Sequence, residues 1–260
     1  MKKIGNVKKC IMALCLLVFL FCVLGAASSV EAAIEDRILK SWTRSGNYSE
    51  GTGMQSVSLK VTYYSAEYIE ALVRSEAEQN LWTQDEEAQY KYNLLKALNL
   101  DECIAFHVDF DTTGTPLYLQ PFDRHLKLYA GKKVLEPVDY DKRFNVKLQG
   151  KRDGMIWFSR YDEKTGKNLL EGVKDLRLVI SGVISQATMR TGDVRFVWNI
   201  SNDDPSILNT GSAAAKLELD RLIKRLEKLH TEKRRLQEQL DAVNKELSEV
   251  NARVDELQRQ

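Results

Sequence analysis

Ser56-Val57-Ser58-Leu59-Lys60-Val61-Thr62-Tyr63 alternates polar and apolar residues without a break. In an extended chain, successive side chains point to opposite faces, so Val57, Leu59, Val61 and Tyr63 share one side and the polar residues the other. This is the pattern of a strand with one face in a core and one in water. The same period returns in Ile104, Phe106, Val108 and Phe110, in Leu126 and Leu128, and in Phe144, Val146 and Leu148. It continues in Ile156 and Phe158, in Leu176, Leu178 and Ile180, and in Val194, Phe196, Trp198 and Ile200. Asp153-Gly154, Thr165-Gly166 and Thr191-Gly192-Asp193 carry turn chemistry, with Gly114 and Gly131 in other connections. These features predict a mainly β domain over residues 33–200, an antiparallel β-sandwich of Ig-like type.

Between the first two strand patterns the period becomes helical. Tyr68, Ile69, Leu72 and Val73 fall on one face behind a capping residue, Ser65. Thr83-Gln84-Asp85-Glu86 has the spacing of a capping box ahead of Ala88, Tyr92, Leu95 and Leu98. The spacing predicts helices over 66–79 and 84–99, a two-helix insertion (66–99) that covers an edge or one end of the sandwich.

Beyond the domain, Ser201-Asn202-Asp203-Asp204-Pro205-Ser206 and Asn209-Thr210-Gly211-Ser212 cluster turn formers, so residues 201–212 read as a linker. From Ala213 to Gln260 there is neither Gly nor Pro, and an apolar heptad seam runs through the segment. Its a positions are Leu219, Leu226, Lys233, Leu240, Leu247 and Val254, and its d positions Leu222, Leu229, Leu236, Val243, Val250 and Leu257. Between Leu219 and Leu257, outside the seam, only Ile223, Ala242 and Ala252 are apolar. A stripe this narrow fits a second helix rather than a globular core, so residues 213–260 are expected to form a coiled coil. The e positions His230, Gln237, Asn244, Asn251 and Gln258 are nearly all neutral and supply little charge code for a particular partner. A homo-oligomer is therefore expected, and a chain ending before residue 213 is expected to fold as a monomer. Lys233 inside the seam restricts register and strand number, while Val243 and Val250 at d lean toward higher order.

The N-terminus has the layout of a secretory signal peptide over residues 1–32. Lys2, Lys3, Lys8 and Lys9 precede an uncharged apolar run from Ile11 to Leu24, and Val30-Glu31-Ala32 suits cleavage before Ala33. Left uncleaved, this run would anchor the chain in a membrane. The 32 residues hold four lysines and one acid, so the remainder has a formal charge near −2 against +1 for the whole chain. That balance points away from nucleic acid. Cys10, Cys15 and Cys22 belong to the leader, leaving Cys103 without an internal disulfide partner. Its apolar neighbours Ile104, Ala105 and Phe106 mark it as a small buried hydrophobe.

Few residues point to chemistry. His107, Asp109 and Asp111 alternate along one strand face and raise a metal hypothesis. The same alternation is ordinary for a half-exposed strand, and Asp111 to Gly114 reads as a turn. The calcium-loop match beginning at Asp109 fails, because Gln120 stands where a bidentate Glu is needed. No cofactor or metal is expected, and no nucleophile turn accompanies His125. Tyr63, Tyr64, Tyr90 and Tyr92 form an aromatic neighbourhood around the insertion, in which Trp82 is the possible ligand contact. Trp157, Trp198 and Phe196 are expected in the core. These features predict an exported, non-enzymatic cell-envelope protein, periplasmic or extracellular, with a structural or adaptor role and an envelope protein as possible partner. A carbohydrate- or peptide-binding module is the alternative, and a secreted hydrolase the third reading.

Overall fold

The alternating segment Ser56–Tyr63 forms a strand whose apolar face is closed to solvent: Val57, Leu59, Val61 and Tyr63 are each 1% exposed or less. The computed structural model describes residues 33–51, 53–162, 164–209 and 211–259. The expected signal peptide, residues 1–32, lies outside the described residues. The chain divides into two units, one ending at Asn209 and one starting at Thr210.

The first unit begins with a helix, α1 (33–41), and then builds two antiparallel sheets. One sheet contains β1 (Thr43–Ser49), β2 (Ser56–Tyr63), β3 (Cys103–Leu117), β7 (Leu148–Ser159) and β6 (Pro137–Tyr140), in that spatial order. The other contains β5 (Lys133–Leu135), β4 (Leu126–Ala130), β8 (Asp175–Ile180) and β9 (Val194–Asn199), again in spatial order. One hydrophobic cluster draws on both: Leu59, Val61, Phe106, Val108 and Phe158 from the first sheet, and Leu128, Leu178, Phe196 and Trp198 from the second. Between β2 and β3 lie α2 (Ala66–Asn80) and α3 (Gln84–Leu98). Ser65 caps α2 by accepting from the Tyr68 amide, and Thr83 with Glu86 forms the expected capping box on α3. Lys91 of α3 pairs with Glu70 of α2 in a half-buried contact. The four-residue α4 (Gln186–Met189) follows β8. No helix among the described residues is long and apolar enough to cross a membrane.

Trp198 is fully buried and touches both sheets' aromatic residues. Its ring centroid lies 5.4 Å from Phe106, 6.3 Å from Tyr63 and 6.4 Å from Phe196. Its indole N–H donates to the Trp42 carbonyl at 2.8 Å, which satisfies a polar atom in an otherwise apolar setting. The Tyr63 hydroxyl donates to Asp203 at 3.0 Å, and the Ala66 amide at the start of α2 donates to the other carboxylate oxygen at 2.8 Å. Asp203, expected in a linker, thus ties the segment after β9 into the first unit.

Several expectations need correction, each for a physical reason. Asp153-Gly154 makes no turn but lies within β7. Gly154 is needed because a Cβ there would stand 2.8 Å from atoms of Asp141 and Phe144. Asp111 to Gly114 likewise stays in β3, where pairing with β7 shifts between Thr112 and Leu117. Gly114 adopts φ +83°, and a Cβ would meet the Met54 carbonyl oxygen at 1.9 Å. Phe144 and Val146 share no strand: the Asp141 carboxylate accepts from the Arg143 amide and a 3-10 turn forms over Lys142–Asn145. That turn buries Phe144 and leaves Val146 55% exposed. Trp157 is half-buried on the face of β7 opposite Ile156 and Phe158, outside the inter-sheet core. Helix α1 and strands β1, β5 and β6 were not anticipated.

Replacing Trp198 by Ala is expected to cost about 3–5 kcal/mol in chemical denaturation, the range for losing a large buried aromatic. Asp203 yields a pH signature. Burial lifts its carboxyl above the ordinary aspartate value, against hydrogen bonds that pull the other way. A raised folded-state value stabilises the fold fully below the unfolded value, and this contribution is lost as pH rises through the folded value. The wild type should therefore lose stability relative to Asp203→Asn as pH rises from about 4 toward neutrality, measured by urea titration at stepped pH.

Candidate functional site

The outward face of the first sheet is where polar and aromatic groups converge. Its covered end is set by the helical pair: the Trp157 indole donates to the Leu98 carbonyl at the end of α3, at 3.1 Å. Ala105, an outward position on β3, is 0% exposed. The next outward positions on that strand, His107, Asp109 and Asp111, are only half-buried.

His107 sits between two carboxylates. Its Nε2 lies 3.1 Å from Asp153 and its Nδ1 3.7 Å from Asp109. Asp109 and Asp153 are direct cross-strand partners on β3 and β7, which places both acids beside the same imidazole. The hydrogen bond from His107 holds the Asp153 carboxyl below its ordinary range, and Lys60 approaches Asp109 at 4.0 Å. Of the expected trio, His107 and Asp109 meet, whereas Asp111 approaches Lys151 at 4.0 Å. Asp153 takes the third place, and the turn expected at Asp153-Gly154 concealed it. An imidazole diagonal to an acid on the neighbouring strand is a signal only once the strand pairing is known.

The three donor groups of His107, Asp109 and Asp153 lie within 4.8 Å of one another. With one acid beside each ring nitrogen, an ion on Nε2 would gain Asp153 as its other protein ligand, while Asp109 stands on the Nδ1 side at 3.7 Å, beyond hydrogen-bond reach. Two ligands fall short of the three or four in zinc sites.

Beside this trio stand the tyrosines of the insertion. The Tyr64 and Tyr68 rings meet edge to face, with centroids 5.2 Å apart. Burial pushes the Tyr64 hydroxyl up to about 12, reinforced by Tyr68, Tyr90 and the Asp109 carboxylate. Tyr68 is raised by burial and by the same two neighbours, Tyr90 and Asp109. Trp82 is half-buried and packs on Tyr90 with centroids 4.8 Å apart. Trp82, Tyr90, Tyr64 and Tyr68 thus lead to Asp109. Tyr63 belongs to the core, and Tyr92 packs under the Lys96 ammonium at 5.2 Å. Aromatic rings beside carboxylates offer stacking faces and anionic hydrogen-bond acceptors, a combination suited to sugars or cationic groups.

The second unit carries the other candidate surface. Helix α5 (Gly211–Gln258) is 48 residues long, about 72 Å at ~1.5 Å per residue. It holds all the expected seam positions in one element. The eleven apolar ones, from Leu219 and Leu222 to Val254 and Leu257, remain 45–58% exposed, and Lys233 is exposed among them.

Asp109→Asn removes the charge that opposes ionisation of Tyr64, so its titration should move downward, read by tyrosinate absorbance against a Tyr64→Phe control. Zinc calorimetry on the full chain should show affinity no tighter than millimolar at the His107 trio; micromolar binding abolished by His107→Ala would contradict the two-ligand account. No family model, curated protein or solved structure matches the chain.

Proposed function

We propose that this is an exported, non-enzymatic cell-envelope protein with a structural or adaptor role, self-associating through α5 as a coiled coil. The observation that carries the reading is the uninterrupted exposure of the seam. Eleven Leu and Val side chains on a two-position stripe keep about half their surface in water in the single chain. Burying such side chains is worth ~25 cal/mol per Å² of apolar surface. A second copy presents the same stripe, and the neutral e positions place no charge barrier against it. Export rests on the lysine-led apolar leader and its small-residue site before Ala33.

The two-sheet unit is then the displayed module, a sandwich in the sense of two layers sharing one core. Its strand order departs from the immunoglobulin arrangement, in which the third strand crosses to the other sheet, since here β1, β2 and β3 are neighbours. The Tyr64, Tyr68, Tyr90 and Trp82 group beside Asp109 favours a second reading, an extracytoplasmic module that binds carbohydrate or peptide. Loss of glycan or peptide binding in Trp82→Ala would favour it.

Sedimentation of the full chain at ~20 μM should show a dimer or larger species. Leu236→Glu with Leu240→Glu should yield a monomer with unchanged sheet signal, whereas a wild-type monomer at this concentration would refute self-association. In a parallel, in-register pair the two Lys233 ammonium groups share one layer. Lys233→Leu should raise the thermal midpoint of α5 and broaden the distribution of oligomers, a trade of specificity for stability.

A further inference from the structure

The second sheet carries a groove of different character. It has a volume of about 750 Å³ and runs between the β4–β5 turn and the loop that leads into β8. The two walls approach at Gly131, where a Cβ would stand 3.8 Å from Val173. Lys132, Lys133, Lys174 and Arg177 line it, and all four are exposed. Among the described residues none of the four forms an ion pair. Arg177 instead lies over the Tyr129 ring at 4.6 Å, which holds the guanidinium at the groove without neutralising it. Glu171 and Asp175 also line the groove, so four cations face two acids.

We propose that this groove binds a phosphate-bearing polyanion. The argument is charge complementarity and size. Among the described residues Lys132, Lys174 and Arg177 have no ion-pair partner and Lys133 is offset only by a longer-range pull from Asp162, so the four form a local positive field, in which Lys acts as a point-charge phosphate partner and Arg as a two-pronged one. The volume falls in the ~300–1,000 Å³ range of ligand pockets, more than one phosphate group fills, so a chain of phosphates suits it better than a single ion. Glu171 and Asp175 repel an anionic chain locally and so restrict where its phosphates sit. The inference stands independently of self-association, since every residue belongs to the first unit.

The test uses the full chain with three probes: long-chain inorganic polyphosphate, orthophosphate, and vesicles of phosphatidylglycerol. Lys132→Gln/Lys174→Gln/Arg177→Gln should weaken polyphosphate binding roughly 100-fold, at about fivefold per cation. Lys132→Gln/Lys174→Gln, which leaves the Arg177 contact with Tyr129 intact, should lose roughly 25-fold. A charge-matched control, Arg124→Gln/Lys147→Gln/Lys151→Gln, should lose less than about twofold. Orthophosphate should compete only weakly, and added salt should reduce polyphosphate affinity steeply. An equal loss in the control would overturn the proposal in favour of diffuse attraction to the whole surface. Absence of polyphosphate binding at low salt would overturn it outright, and vesicle binding without polyphosphate binding would reassign the groove to a lipid surface.

Discussion

The packing of Trp198 against Phe106 and Tyr63 is the contact on which the rest of the first unit depends. These three rings come from β9, β3 and β2, so one aromatic cluster closes the space between the two sheets. Polar atoms on its members extend its reach. The Trp198 indole holds the backbone at Trp42, and the Tyr63 hydroxyl holds Asp203, which also accepts from the first amide of α2. An aromatic core with satisfied polar edges fixes position as well as supplying burial, because each misplacement leaves a donor or acceptor without a partner in a low-dielectric setting. The helical insertion takes its place on the outer face of the first sheet partly through this arrangement. Where its cover ends, at His107, the polar and aromatic surface begins.

The strands that were legible in the sequence are those with one wet face. Alternation in 56–63, 104–110, 176–180 and 194–200 requires a core on one side, and each of these segments supplies β2, β3, β8 or β9. Strand β1 was not legible because Thr43-Arg44-Ser45-Gly46-Asn47-Tyr48-Ser49 has no apolar period; it is held by a complete edge pairing with β2. Glycine misled twice. Gly154 and Gly114 satisfy close approaches from Phe144 and Met54 that no local pattern reveals. The exchange of Asp111 for Asp153 between the expected metal trio and the observed one has the same origin: Asp153 reaches His107 only because β7 pairs with β3 in a particular register. The helix pair was easier, since Ser65 and Thr83 announce their caps locally.

The two sheets present different outer chemistry. On the first, carboxylates and tyrosines gather around His107; on the second, lysines and an arginine border an open groove. The near-zero formal charge of the chain hides this separation, since +1 is the balance of 38 basic and 37 acidic residues.

The central claim concerns α5, whose stripe of Leu and Val has no cover within its own helix. Helices of this length draw much of their stability from packing an apolar face. Amide hydrogen exchange across residues 219–257, followed at low and high protein concentration, reads that packing directly. The account predicts protection that rises with concentration along the whole seam; fast exchange independent of concentration would contradict it.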